Sequence, residues 1–137
     1  MANTYGTSIT LSLAKRAAGA AVAEAQRNAW LMAVAIVDIA GDLVYFEKMD
    51  DTQNGSVKVA VAKARSAALF KRPTKAFQDA LTATADGLRI LGLEGAVPVE
   101  GGLPIIVADR IVGAIGLSGG TSPQDGQCAK AGVDATA

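Results

Sequence analysis

The chain has 137 residues, half of them hydrophobic and 19% charged, which excludes a disordered chain and is enough to bury one core. Thirteen basic and thirteen acidic residues cancel, so there is no basic excess to bind nucleic acid. Histidine is absent, which removes the commonest general base, the commonest metal ligand and every histidine-based triad; no metal site is expected.

Thr10 is placed to cap a first helix that runs to about Asn28. Leu11, Ala14, Ala18, Ala21, Ala25 and Ala29 recur along it at helical spacing. Trp30 to Ile39 is a continuous apolar run, as expected of a strand buried on both faces. Ala40, Gly41 and Asp42 form a turn, and Leu43 to Met49 return as a second strand. Ser56 is the expected cap of a second helix, Val57 to about Phe70. It carries Lys58, Lys63 and Arg65 and is followed by Lys71 and Arg72, with no acid between them. Pro73 ends this segment, and Thr74 is positioned to cap a third helix from Lys75 to about Ala85.

Leu88 to Gly95 is expected to be an irregular link, and Ala96 to Glu100 a short edge strand containing Pro98. Leu103–Ala108 and Ile111–Leu117 then flank Asp109 and Arg110 in the pattern of a hairpin. Ser118, Gly119, Gly120 and Thr121 lead into a last helix, roughly Pro123 to Ala135, with Ser122 as N-cap and Asp125 in the first turn. The order α, β, β, α, α, β, β, β, α implies an α+β fold: one domain over residues 1–137, with a central antiparallel sheet of about five strands flanked by helices.

A strand that passes through a glycine turn into a helix start gathers free N–H groups, and these attract anions. The candidate ligand-binding residues are therefore Arg72, Thr74, Gly101, Gly102, Ser118, Gly119, Gly120, Ser122 and Gln124, with Arg72 as the paired cation. If the pocket is catalytic, Arg72, Glu100 and Asp125 are the groups available for polarisation and proton transfer. Gly113 and Gly116, inside a strand, mark close approach by a ligand or another backbone. The single cysteine, Cys128, rules out an intramolecular disulfide and fits a reducing, cytoplasmic setting. No apolar run is long enough to cross a bilayer, and the N-terminal segment does not resemble a secretory signal. Aromatic residues make up only 4% of the chain, so the core is small-chained and a homo-oligomer is expected to supply further burial.

Four stretches, AVAIVDIAGDLVYFEKMD (33–50), KARSAALFKRPTKAFQDAL (63–81), PVEGGLPIIVADRIVGAIGLSGG (98–120) and SPQDGQCAKAG (122–132), resemble the GlcG/HbpS family. This family includes the C-terminal domain of PduO-type proteins. The similarity runs from about Thr10 to Ala135. It implies a profilin-like fold, symmetric oligomers and, in some members, haem binding. Haem-binding relatives are generally associated with histidine ligands. This chain would have only Met32, Met49, Tyr45 or Cys128 as substitutes, so no cofactor is expected beyond haem by resemblance. The function expected is binding of an apolar, carboxylate-bearing small molecule. A cofactor-independent lyase, isomerase or hydrolase on the same pocket, or a structural subunit, are the alternatives.

Overall fold

The computed structural model describes residues 3–137. Helix α1, Leu11–Arg27, starts where the Thr10 hydroxyl accepts the Leu13 N–H at 3.1 Å. Strands β1, Ala33–Val37, and β2, Leu43–Lys48, are joined by a turn in which the Asp38 carboxylate accepts the N–H groups of Ala40 and Asp42. Helices α2, Ser56–Leu69, and α3, Thr74–Ala83, follow, and then a 3-10 segment, Ala85–Gly92. Strands β3, Gly102–Val107, and β4, Arg110–Ser118, form the hairpin, and α4, Ser122–Asp134, closes the chain. The sheet is antiparallel throughout, in the order β2-β1-β4-β3.

Alternation along the central strands divides the core into two layers. Val34, Ile36, Ile115 and Leu117 face α1 and α4, where Ala14, Ala18, Ala21, Cys128 and Ala129 meet them. Ala33, Ala35, Val37 and Ala114 face α2, whose Ala60, Ala64, Ala67 and Ala68 complete the second layer. Small side chains on both sides let α2 lie almost on the sheet. A Cβ at Gly116 would overlap the Ala60 carbonyl oxygen and come within 2.6 Å of the Ala64 nitrogen. Gly116 is therefore a packing position against α2. Among the described residues no helix is long and apolar enough to cross a membrane.

Among the described residues four strands form one sheet, where the sequence pattern suggests about five. The expected edge strand at Ala96–Glu100 is an irregular segment, because its donors are taken locally and not by a neighbouring strand: the Ala96 N–H goes to the Leu93 carbonyl at 3.1 Å and two others go to side chains. Val97 N–H donates to Ser66 Oγ at 3.1 Å and Glu100 N–H to Gln78 Oε1 at 2.7 Å, while Pro98 has no N–H. Three helix starts also shift by a residue. Gly55 precedes α2 in place of Ser56, Pro73 precedes α3 in place of Thr74, and Thr121 precedes α4 in place of Ser122. The displaced hydroxyls of the first two find other partners. Ser56 Oγ accepts from Ser118 and Gln53, and Thr74 Oγ1 accepts the Gly102 N–H at 2.9 Å. At α4 Thr121 and Gln124 satisfy one another's backbone N–H groups in a capping box.

Candidate functional site

The chain is pinned at one buried polar junction. Lys63, on the sheet-facing side of α2, extends its ammonium to Asp125 Oδ2 at 2.8 Å and to the Leu117 carbonyl at 3.0 Å. The Lys63 and Asp125 side chains are 1% and 4% exposed. The other Asp125 oxygen accepts the Gly120 N–H at 3.0 Å. Burial pushes the Asp125 carboxyl above its ordinary range, outweighing the opposite pull of Lys63 and of the Gly120 N–H. Directly above lies Gly101, at φ +135°, where a Cβ would come within 2.7 Å of Lys63 Nζ and 2.9 Å of Asp125 Cβ. Gly101 and Gly102 are thus moulded onto the ion pair, and Thr74 fixes Gly102 from the side.

The candidate residues named from sequence separate into two places. Gly119, Gly120 and Gln124 line a shallow cavity with Trp30, Leu31 and Asp51. Its turn amides are already engaged: Gly120 N–H by Asp125, and Thr121 N–H by Gln124 Oε1 at 3.0 Å. Ser118 Oγ lies beneath, bonded to Ser56, and Ser122 is half-buried at the first position of α4. Arg72 joins neither group. Its guanidinium lies over the Phe77 ring at 5.2 Å, and its Nε donates to the Phe70 carbonyl.

Glu100, Gly101 and Gly102 instead open onto a cavity of about 440 Å³ between the start of α3 and the outer side of α4. Leu103, Val133 and Pro73 give it apolar walls, and Lys75 and Lys130 stand at its rim. Both lysines are in exposed i,i+4 pairs, Lys75 with Asp79 and Lys130 with Asp134, each at 2.8 Å. Such pairs contribute only about 0.3–0.5 kcal/mol each, so exchanging the partner for a ligand carboxylate costs little. Helix α3 begins here without a side-chain cap: the Ala76 N–H donates to the Pro73 carbonyl at 3.0 Å, and the two N–H groups before it have no side-chain acceptor. Asp125, by contrast, has both oxygens engaged behind the glycines, so that of the two acids named from sequence Glu100 is the one at the cavity mouth.

Lys63, Lys75, Lys130, Leu103 and Val133 are absent from the residues inferred from sequence. One signal pointed to Lys63: it shares a helical face with Ala60, Ala64 and Ala67, all buried, and a cation on such a stripe needs a partner. The other four have no local signature, because the cavity forms only where three elements distant in sequence converge. Cys128 is fully buried, and its thiol is pushed up to about 12, first by burial and then by Glu24 and Asp125. It packs as a small apolar residue.

The comparisons with known proteins agree with this architecture. A family model described as "Haem degrading protein HbpS-like" matches residues 9–134. A 15.0 kDa protein encoded in the dhaT-dhaS intergenic region of Citrobacter freundii is 33% identical over 128 residues, spanning 92% of this chain and 90% of that one. GlcG of Escherichia coli is 35% identical over 95 residues, 69% of each chain. The crystal structure of a PduOC–haem complex superposes with a TM-score of 0.84 at 28% identity, covering 94% of this chain and 95% of that one.

Proposed function

The chain belongs to the HbpS-like family, and from that premise we propose that it binds an apolar, carboxylate-bearing small molecule in the cavity between α3 and α4. The observation that carries this is the combination at one opening of apolar walls, two rim lysines and an uncapped helix start. The walls take the apolar body, and the lysines and first α3 amides take the carboxylate. Titration calorimetry with 3-phenylpropionate provides the test. The Lys75→Ala/Lys130→Ala double variant is expected to weaken binding by about tenfold, a modest loss because both cations are solvent-screened. Leu103→Trp, which fills the cavity, should abolish binding. If both variants bind like the unaltered chain, the ligand sits elsewhere.

Haem is named for the family and for the PduOC complex, but the donors of this chain do not fit a histidine-ligated haem. The chain has no histidine. Met32 and Cys128 are enclosed in the core, Tyr45 donates its hydroxyl to Glu47, and none of them lines the α3–α4 cavity. Met49 lines a separate opening beside Lys48. A haemin titration followed by absorption is therefore expected to show no six-coordinate, low-spin, nitrogen-type spectrum. Stoichiometric appearance of that spectrum would require an amine ligand, Lys75 or Lys130 first.

Self-association is part of the same proposal. The core is built mainly from alanine, which buries little area per residue, and Leu88 and Leu91 of the 3-10 segment are 62% and 68% exposed. A second copy covering such area would add stability that this core lacks. Light scattering should give a mass above that of one chain; a well-folded monomer at every concentration would refute this.

A further inference from the structure

Among the described residues, the rim of the α3–α4 cavity contains one charged group with no hydrogen-bond or ion-pair partner. Lys75 and Lys130 have aspartate partners, and so does Asp134 have its lysine. Glu100 is half-buried at the mouth, and among the described residues no hydrogen bond or ion pair reaches its carboxylate. Its position is nevertheless fixed. The Glu100 N–H is held by Gln78 Oε1 at 2.7 Å, Gly101 next to it is moulded on the Lys63–Asp125 pair, and the carboxylate lies against Gly126 of α4. A Cβ at Gly126 would overlap Glu100 Oε2 and come within 2.9 Å of its Cδ. The absence of a side chain at Gly126 is what admits the carboxylate to this place. Asp79 first, and Glu100 as a smaller contribution, favour the charged form of Lys75, which places the Glu100 carboxylate near the rim cation.

An acceptor-only group held beside an apolar cavity selects a ligand that brings a donor. We propose that Glu100 is the specificity-determining residue of this cavity, and that the ligand carries, besides its carboxylate, a hydroxyl or ammonium that donates to Glu100. This rests on the assignment of the cavity as the binding site and narrows the ligand class within it. The lysines and the α3 amides take the ligand carboxylate. Glu100 takes the neighbouring donor, and Leu103 and Val133 cover the apolar remainder. A ligand without the donor would leave Glu100 desolvated and unpaired, which is a larger penalty than a missing contact at an exposed rim.

The test compares three probes of one shape by calorimetry: 3-phenylpropionate, 3-phenyllactate and phenylalanine. At least one of the two donor-bearing probes should bind ten times tighter than 3-phenylpropionate, and which one does so separates hydroxyl from ammonium. Glu100→Ala should erase that gap while 3-phenylpropionate binds as before or better. Gly126→Ala leaves Glu100 in the chain but displaces its carboxylate, and should shrink the gap in the same way. It guards against a folding defect in the first variant, with thermal melting as the check on both. Equal binding of all three probes to the unaltered chain, or a gap that survives in both variants, overturns the role of Glu100 while leaving the cavity assignment intact. Failure of all three probes to bind at millimolar concentration overturns the cavity assignment as well.

Discussion

Asp125→Ala should destabilise the fold by about 3–5 kcal/mol, the range for removing one partner of a buried ion pair. The cause is less the lost attraction than the ammonium of Lys63, left 1% exposed with only the Leu117 carbonyl as acceptor. Chemical denaturation checks this directly. Lys63→Met combined with Asp125→Leu removes both charges and keeps a γ-branched side chain at 125, and should recover most of the loss, since well-packed apolar replacements of buried pairs are often neutral. A double variant as unstable as Asp125→Ala alone would show that the junction acts through shape and not through charge. The pH dependence has a definite sign. Because burial raises the folded-state pKa of Asp125, its contribution to stability is full below the ordinary aspartate value and is lost as pH rises through the folded value. Asp125→Asn should remove that component of the pH profile.

Gly119→Val is expected to cost about 3 kcal/mol or more, and to do so with no ligand present. Gly119 sits at φ +147°, which a β-branched residue rarely adopts, and a Cβ there would overlap the Leu31 carbonyl oxygen and come within 2.9 Å of Met32 Cα. Backbone cannot yield as a flexible side chain would, so strain and overlap add. Thermal unfolding of the variant against Gly120→Ala separates the two glycines. Gly120 has the ordinary sign of φ, and the atoms nearest its added Cβ, Gln124 Oε1 and Met32 Cε, belong to side-chain ends that can move. A Gly119→Val protein that melts with the unaltered chain would refute the clash. Loss of binding in this variant alone would not identify an anion nest, because packing already requires glycine here.

Most of the elements were legible because their signals are local. Thr10 caps α1, the apolar run Trp30–Ile39 contains a strand, Ala33–Val37, covered on both faces, and Ala40, Gly41 and Asp42 lie in the turn to β2, although the Asp38 carboxylate that holds it was not foreseen. The hairpin β3–β4 and the helix after Gly120 follow from apolar runs and a proline near a helix start. Errors fell where a polar side chain had two possible partners. Thr74 and Ser56 are good caps by type, but the folded chain commits their hydroxyls to Gly102 and to Ser118 and Gln53. The segment Ala96–Glu100 has strand-like composition, yet Ser66 and Gln78 take two of its donors.

The sequence by itself determined the order of elements, the alanine-rich character of the core and the absence of any histidine chemistry, because periodicity and composition act within a few residues. Only the tertiary structure decided where charge sits. Arg72 and Lys63 lie nine residues apart on one basic stretch, yet one stacks on Phe77 at the surface and the other reaches Asp125 through the core. Likewise Glu100, Leu103, Lys75 and Lys130 meet at one cavity because α3, the glycine corner and α4 converge on the same sheet edge. Burial and pairing of a charge depend on what lies opposite in space, and no spacing along the chain encodes that distance.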